Sequence, residues 1–156
     1  MSKAPVCSAC GDKARLTSGR EVYPHRRDLH EKPIWKCRCG AYVGCHPGTT
    51  DPLGTPANAE LRKARMLLHE KVLDPLWKTA ADTGGYHPED AKARIRICRS
   101  ARRRVYAYLA FKLGIERDDT HTGMFDLERC RDAWRALQGV TYPEIRDWWK
   151  AQEPAA

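Results

Sequence analysis

The sequence lacks any apolar run approaching the roughly 18 residues that cross a membrane. Its first residues, MSKAPVCSAC, have no apolar core of the kind that a signal peptide needs, so we expect a cytoplasmic protein that is not exported. Internal repeats and low-complexity tracts are also missing, which argues against repeat and fibrous architectures. Hydrophobic residues make up 42% and charged residues 31% of the chain, a balance typical of a globular protein.

Several chemical signatures are missing too. The chain has no paired carboxylates at hydrolytic spacing, no glycine loop that would cradle a phosphate, and no second, open metal site. We therefore favour a non-enzymatic protein. The remaining enzymatic alternative is a nuclease-like protein that uses His25, His46 or His121 with Asp28 or Asp51.

Cysteine, in contrast, is abundant and unevenly placed. Five of the seven cysteines lie in the first 45 residues, and Cys98 and Cys130 stand alone within helical patterns. An odd number in a chain without an export signal argues against a disulfide framework and for metal binding. We expect Cys98 and Cys130 to be buried as small apolar side chains.

Two cysteine motifs predict a zinc ribbon. Cys7 and Cys10 are two residues apart and precede Gly11, and Cys37 and Cys39 form a second motif that is one residue shorter. A glycine after the second cysteine permits the tight turn that aims backbone N–H groups at sulfur. Four thiolates would close the coordination shell of one structural zinc ion, whose binding energy is largely folding energy.

The shortened second motif leaves alternatives open. Cys45 or His46 could replace Cys37 or Cys39 as a ligand. A redox pair at Cys7 and Cys10 is less favoured, because no thioredoxin-like pattern surrounds it. A catalytic Cys45–His46 dyad is least favoured, because adjacent side chains diverge.

The overall pattern predicts an α+β protein, with a zinc-ribbon module over residues 1–50 and a mainly helical body of about four helices over residues 51–156. In the module, Ser18-Gly19 predicts a two-residue hairpin between strands at 14–17 and 20–23. Further strands are expected at 34–37 and 41–43.

Four helices are expected in the body. The first is capped by Thr55, and Pro75 should kink or end it. The second runs from Pro88 to Gly114 with Ile95 facing inward, and the third covers 126–138 with Trp134 on its apolar stripe. The fourth starts at a capping box that begins at Thr141.

Several sequence runs resemble a zinc-finger-containing protein family that is common in bacteriophages and prophages. They lie at residues 23–26 (YPHR), 44–49 (GCHPGT), 53–55 (LGT), 74–77 (DPLW), 106–110 (YAYLA), 113–115 (LGI) and 121–126 (HTGMFD). The resemblance implies a bound metal and, for a phage-encoded protein, the cytoplasm of a bacterial host. It supplies no reaction. The chain departs from the family where CxC replaces the usual second CxxC.

Positive charge is concentrated in one region. The formal net charge is +8, and residues 88–117 carry nine Lys/Arg against three Asp/Glu. Six arginines predict a surface that binds nucleic-acid phosphates, with Arg96, Arg99 and Arg103 as its ridge. The full set is Arg94, Arg96, Arg99, Arg102, Arg103 and Arg104. The alternative is a solvated face paired with the acidic residues Asp118, Asp119, Asp126, Glu128 and Asp132.

A second candidate surface consists of Tyr23, His25, Arg26 and Arg27. This mixture of aromatic and basic side chains suits phosphate contact or base stacking. In the alternative interpretation, Tyr23 and His25 pack against the ribbon or the first helix.

We therefore expect a phage-type zinc-ribbon accessory protein that binds DNA or RNA mainly through phosphate contacts. The main alternative is a module that binds or inhibits a host or phage protein through its acidic C-terminal helices and Trp149.

Overall fold

The computed structural model describes residues 3–153 and confirms the α+β class. The strands are β1 (Arg15–Ser18), β2 (Pro33–Lys36) and β3 (Tyr42–Gly44). The helices are α1 (Gly19–Val22), α2 (Ala59–Leu67), α3 (Asp74–Lys78), α4 (Ala80–Thr83), α5 (Ala91–Leu113), α6 (Leu127–Leu137) and α7 (Tyr142–Gln152). Shorter turns are a π-helix at Leu68–Leu73 and 3₁₀-helices at Arg27–Leu29, Arg117–Thr120 and Thr122–Met124. None of the helices in residues 3–153 is both long and apolar enough to span a membrane.

The three strands form one antiparallel sheet in the order β1-β2-β3. Trp35 at the centre of β2 pairs with Leu16 on one side and Val43 on the other. The Trp35 indole is buried, and its Nε1 donates to the Thr50 carbonyl at 2.8 Å. Both cysteine turns lie at the Lys36 end of this central strand, because Cys37 follows Lys36 directly and Arg15, which pairs with Lys36, begins the strand that follows the turn at residues 7–10.

The predicted hairpin at Ser18-Gly19 is wrong. β1 pairs with β2, and the chain after Ser18 turns into α1. Gly19 is required for a close backbone approach, because a Cβ there would lie 1.8 Å from the Leu29 carbonyl oxygen. The Gly19 N–H donates to Lys32 O at 2.9 Å, which closes the connection before β2.

The chain divides into two compact units. The first comprises the chain up to Ala64 together with His121–Asp126, and the second comprises Arg65–Thr120 and the chain from Leu127 onward. These units are defined by internal contacts, and the functional division after residue 50 stays a prediction.

The segment His121–Asp126 is tied to the first unit by backbone contacts. Thr55 N donates to Gly123 O at 3.0 Å, and the His121 ring donates from Nε2 to Leu53 O at 2.7 Å. Gly54 and Gly123 touch so closely that a Cβ on Gly54 would lie 2.0 Å from Gly123 O. A side chain at either position would separate the two segments.

The first long helix starts later than the sequence predicts. Ala57 pairs with Tyr42 in an extended bridge, so the helix cannot begin at Pro56. Asn58 caps α2 instead, because its Oδ1 accepts from Leu61 N at 2.9 Å. The fourth helix does begin after Thr141, but the Thr141 side chain forms no capping bond.

Pro75 is accommodated without ending the helical path. A π-helix at Leu68–Leu73 leads into α3, whose first turn contains Pro75. Proline lacks an N–H and crowds the carbonyl four residues earlier, and the wider π turn relieves both problems. The Asp74 N–H bonds to the His69 carbonyl, five residues back.

Helix α5 is the central element of the second unit. Asp90 caps it by accepting from Ala93 N at 2.7 Å, and Gly114 ends it in the left-handed conformation at φ 64°. Its buried residues all lie between Ala101 and Ala110. The first turns are therefore uncovered, and the prediction that Ile95 faces inward is wrong, since Ile95 is 57% exposed.

Candidate metal centre and nucleic-acid interface

Four cysteine sulfur atoms converge in the first unit. Cys7 Sγ lies 3.6 Å from Cys39 Sγ, Cys10 Sγ lies 3.3 Å from Cys37 Sγ, and all four atoms lie within 4.8 Å of one another. A tetrahedral zinc–thiolate site has Zn–S distances of about 2.3 Å, which places its sulfurs about 3.8 Å apart. The donor set and its spacing therefore fit one structural zinc ion.

The two cysteine turns reach this geometry in different ways. In the first turn, Gly11 N donates to Cys7 O at 2.9 Å, four residues back. In the second, Gly40 N donates to Cys37 O at 2.9 Å, three residues back. Both glycines have left-handed φ values, 79° and 97°. The turn at residues 37–40 is thus one residue tighter than the turn at residues 7–11, and this compensates for the missing residue of the CxC motif, so that all four sulfurs are still close together.

Local electrostatics favour thiolate at one of the exposed positions. Cys7 and Cys37 are buried, and Cys10 and Cys39 are exposed. A hydrogen bond from the Ala41 backbone lowers the pKa of Cys39 to about 7, and burial raises the pKa of Cys7. A bound divalent cation would supply the charge that stabilises the remaining thiolates.

An ion pair links the two turns beside the sulfur cluster. Arg38, between the cysteines of the second turn, donates from Nε to Asp12 Oδ2 at 2.5 Å. The Cys10 thiol also lies 3.8 Å from Asp12 Oδ2. Asp12 and Arg38 are the residues of this site that the spacing rules do not identify.

The proposed substitute ligands lie outside the cluster. Within residues 3–153, the group of side chains placed to hold a metal contains only Cys7, Cys10, Cys37 and Cys39. Cys45 pairs with Pro52 in a backbone bridge, and burial raises the pKa of its thiol. Of the two isolated cysteines, Cys130 is buried and Cys98 is half-buried, with its sulfur 3.6 Å from Lys78 O.

A family model described as a zinc-finger-containing domain matches residues 3–88, which is more than half of the chain. The chain belongs to this family. The matched part contains all four clustered cysteines, while the similar runs at 106–110, 113–115 and 121–126 lie beyond it. No curated protein and no solved structure shows significant similarity to the chain.

The six arginines of α5 have different environments. Arg94 pairs with Asp82 at 2.9 Å. Arg104 donates to the hydroxyls of Tyr86 and Tyr142 at 2.8 and 3.0 Å, so it is part of the packing of the second unit. Arg102 lies over the Trp77 ring, 5.6 Å from its centroid.

The other three, Arg96, Arg99 and Arg103, are exposed. Within residues 3–153 none of them forms an ion pair, and the acidic partners considered from the sequence do not reach them. Lys92, which we did not predict, shares their face, because 92, 96, 99 and 103 fall within an arc of about 60° at 3.6 residues per turn. We call these four residues the cationic stripe. The i, i+4 spacing from Arg96 would have identified Lys92.

The second candidate surface is largely committed to other contacts. The Tyr23 hydroxyl donates to the Tyr42 hydroxyl at 2.9 Å, and the two rings meet edge to face at 5.6 Å. Arg26 forms a two-pronged ion pair with Asp28 at 2.9 and 2.7 Å. His25 and Arg27 remain exposed. As a result, this surface offers less available charge than the cationic stripe.

Proposed function

We propose that the protein binds the sugar-phosphate backbone of nucleic acid through the cationic stripe, while a structural zinc ion stabilises the first unit. The observation that carries this proposal is that Arg96, Arg99 and Arg103 are exposed on one helix face without acidic partners. Guanidinium groups bind phosphate in a bidentate manner and stay charged at any physiological pH.

The length and charge of the stripe set the expected salt dependence. Lys92 to Arg103 spans about 16 Å of helix, enough for several phosphate contacts. Four contacts to duplex DNA give a slope of log K against log salt of about −3.6, so a fourfold rise in salt weakens binding about 150-fold. A slope of this size is easily measured.

The experiment replaces Arg96, Arg99 and Arg103 together with glutamine, which removes the charge but stays polar and has a helix propensity close to that of arginine. Removing three of four contacts should reduce the slope to about −0.9, so that the same rise in salt weakens binding only about 3.5-fold. Fluorescence anisotropy with labelled duplex and single-stranded DNA and RNA measures this across a salt series.

The matched control is the K71Q/K112Q/K150Q variant, which removes the same charge from three other exposed positions. Lys112 lies on α5 itself, about 170° around the helix from the stripe. The control should bind with the wild-type slope. Equal losses in both variants would mean that net charge alone attracts nucleic acid, and the stripe would then have no specific role. The phage setting stays a prediction from the family resemblance.

A further inference from the structure

The π-helix at Leu68–Leu73 aligns two side chains that a regular helix would separate. His69 and Asp74 are five residues apart, a spacing that an α-helix would place about 140° apart around its axis. The wider turn brings them together, with His69 Nδ1 at 3.3 Å from Asp74 Oδ1. Single π turns occur frequently at functional sites.

The other ring nitrogen of His69 faces a tyrosine. His69 Nε2 lies 3.4 Å from the Tyr106 hydroxyl of α5. The nearby Asp74 carboxylate favours a proton on His69 Nδ1, and with the proton there Nε2 is the atom that accepts from the Tyr106 O–H. A hydroxyl, a base and a carboxylate that orients the base are the arrangement of an activated nucleophile, whose hydrogen bonds are often long in the absence of substrate.

Positive charge surrounds the tyrosine. The guanidinium carbons of Arg117 and Arg102 lie 5.2 and 5.8 Å from the centroid of the Tyr106 ring. Within residues 3–153 neither arginine forms an ion pair with a carboxylate, and Arg117 donates only to Thr120 Oγ1 at 2.8 Å. Asp74 is already paired with Lys78 at 2.8 Å. The two arginines can therefore accept an anion from outside.

The protonation states fit these roles. Burial acts to raise the pKa of Asp74, but the hydrogen bonds from Lys78 and Trp77 help to bring it below its usual value, so Asp74 is a carboxylate. Burial raises the pKa of the Tyr106 hydroxyl, so the phenol keeps its proton until a base removes it. Tyr106 is buried, with 7% of the residue exposed, whereas 38% of the His69 side chain is exposed, so solvent reaches the site from the His69 side.

We propose that Tyr106 is a nucleophile that attacks a phosphodiester of nucleic acid, with His69 as its base, Asp74 as the residue that positions His69, and Arg102 and Arg117 as the phosphate ligands. The choice of substrate rests on the proposed function. The Tyr106 proton passes to His69 Nε2, the Tyr106 oxygen forms a bond to phosphorus, and the bond from phosphorus to the leaving sugar oxygen breaks. The leaving oxygen takes a proton from water. The product is a phosphotyrosyl link between protein and nucleic acid.

The experiment looks for this covalent link directly. Full-length, zinc-loaded protein is incubated with labelled DNA or RNA. Each substrate is designed so that attack by Tyr106 releases a short piece of strand, which dissociates and cannot rejoin the strand that is linked to the protein. Labelled protein on a denaturing gel, lost on treatment with a phosphotyrosyl-cleaving nuclease, reports the adduct. We expect it with the wild type and with the control Tyr108→Phe, and complete loss with Tyr106→Phe, which keeps the ring under both arginines.

A second variant separates chemistry from folding. His69→Ala should form the adduct about 10²–10⁴-fold more slowly, the usual effect of removing a general base. Added imidazole should restore part of the rate, because the His69 site is accessible to solvent. If Tyr106→Phe binds nucleic acid as tightly as the wild type but forms no adduct, the variant is folded and lacks only the chemical step. If the wild type binds both nucleic acids and links to neither, or if Tyr106→Phe still forms the adduct, the site has no such activity.

Discussion

Removing zinc should unfold the first unit and leave the second intact. The perturbation is dialysis of the full-length protein against a chelator under reducing conditions. Because the four sulfurs lie within 4.8 Å of one another, losing the ion leaves thiol groups crowded together without their common ligand. The second unit contains none of these cysteines, so the same treatment is an internal control.

The expected size of the effect follows from what else holds the first unit together. Its large buried apolar side chains, among the described residues, are Ile34, Trp35, Leu61 and Phe125. At about 1.5–3 kcal/mol each, they contribute about 6–12 kcal/mol against the entropy of ordering the chain. A structural zinc ion contributes about 10–16 kcal/mol. The stabilisation from the metal is thus comparable to that from the large apolar side chains, and the unit should not stay folded without it.

Hydrogen–deuterium exchange measured by mass spectrometry resolves the two units. Peptides that contain β1, β2 and β3 should lose protection after chelation, while peptides from α5 keep it. Cys39→Ser should reproduce the loss in part and lower the zinc content, whereas Cys45→Ser should behave as the wild type. Full protection of β2 in metal-free protein would refute the reasoning, and zinc loss in Cys45→Ser alone would show that the ligand set is wrong.

Two further predictions concern stability. Gly54→Ala should destabilise the first unit by about 2–4 kcal/mol in chemical denaturation, because its Cβ would overlap Gly123 O and disrupt the bond from Thr55. Gly44→Ala, whose Cβ would meet only a Leu53 methyl at 3.6 Å, is the matched control, and similar losses in both would contradict the argument. The pKa of Asp74 is lowered in the folded protein, so its stabilising effect should be complete above about pH 4 and disappear as pH falls further. The difference in unfolding free energy between wild type and Asp74→Asn should therefore shrink with acid, and a constant difference would show that the charge of Asp74 contributes nothing.

The zinc ligands were predictable because their chemistry is local. Two cysteines with a following glycine can form only a few turns, so Cys7, Cys10, Cys37 and Cys39 could be identified from spacing. The hairpin at Ser18-Gly19 was not predictable in this way, because Gly19 serves a contact with Leu29 and not a reversed turn. Short-range patterns do not contain that long-range contact.

The arginines show a second limit. Arg103 and Arg104 are neighbours of the same residue type, but the first is exposed and the second bonds to Tyr86 and Tyr142. Only the packing of the second unit distinguishes them. His69 and Asp74 were missed for a related reason, since their alignment depends on a π turn that the spacing rules for regular helices do not include.

The return of His121–Asp126 to the first unit affects how the protein is made. The four cysteines can bind zinc as soon as they leave the ribosome. The contact between Gly54 and Gly123 can form only after almost seventy more residues have been synthesised. All of α5 is synthesised during that delay. Fragments that stop at the end of the family match should bind metal yet leave the Gly54 face uncovered, so they should be prone to aggregate. The complete first unit can therefore form only after the segment His121–Asp126 has been synthesised, long after its cysteines are available to bind the metal.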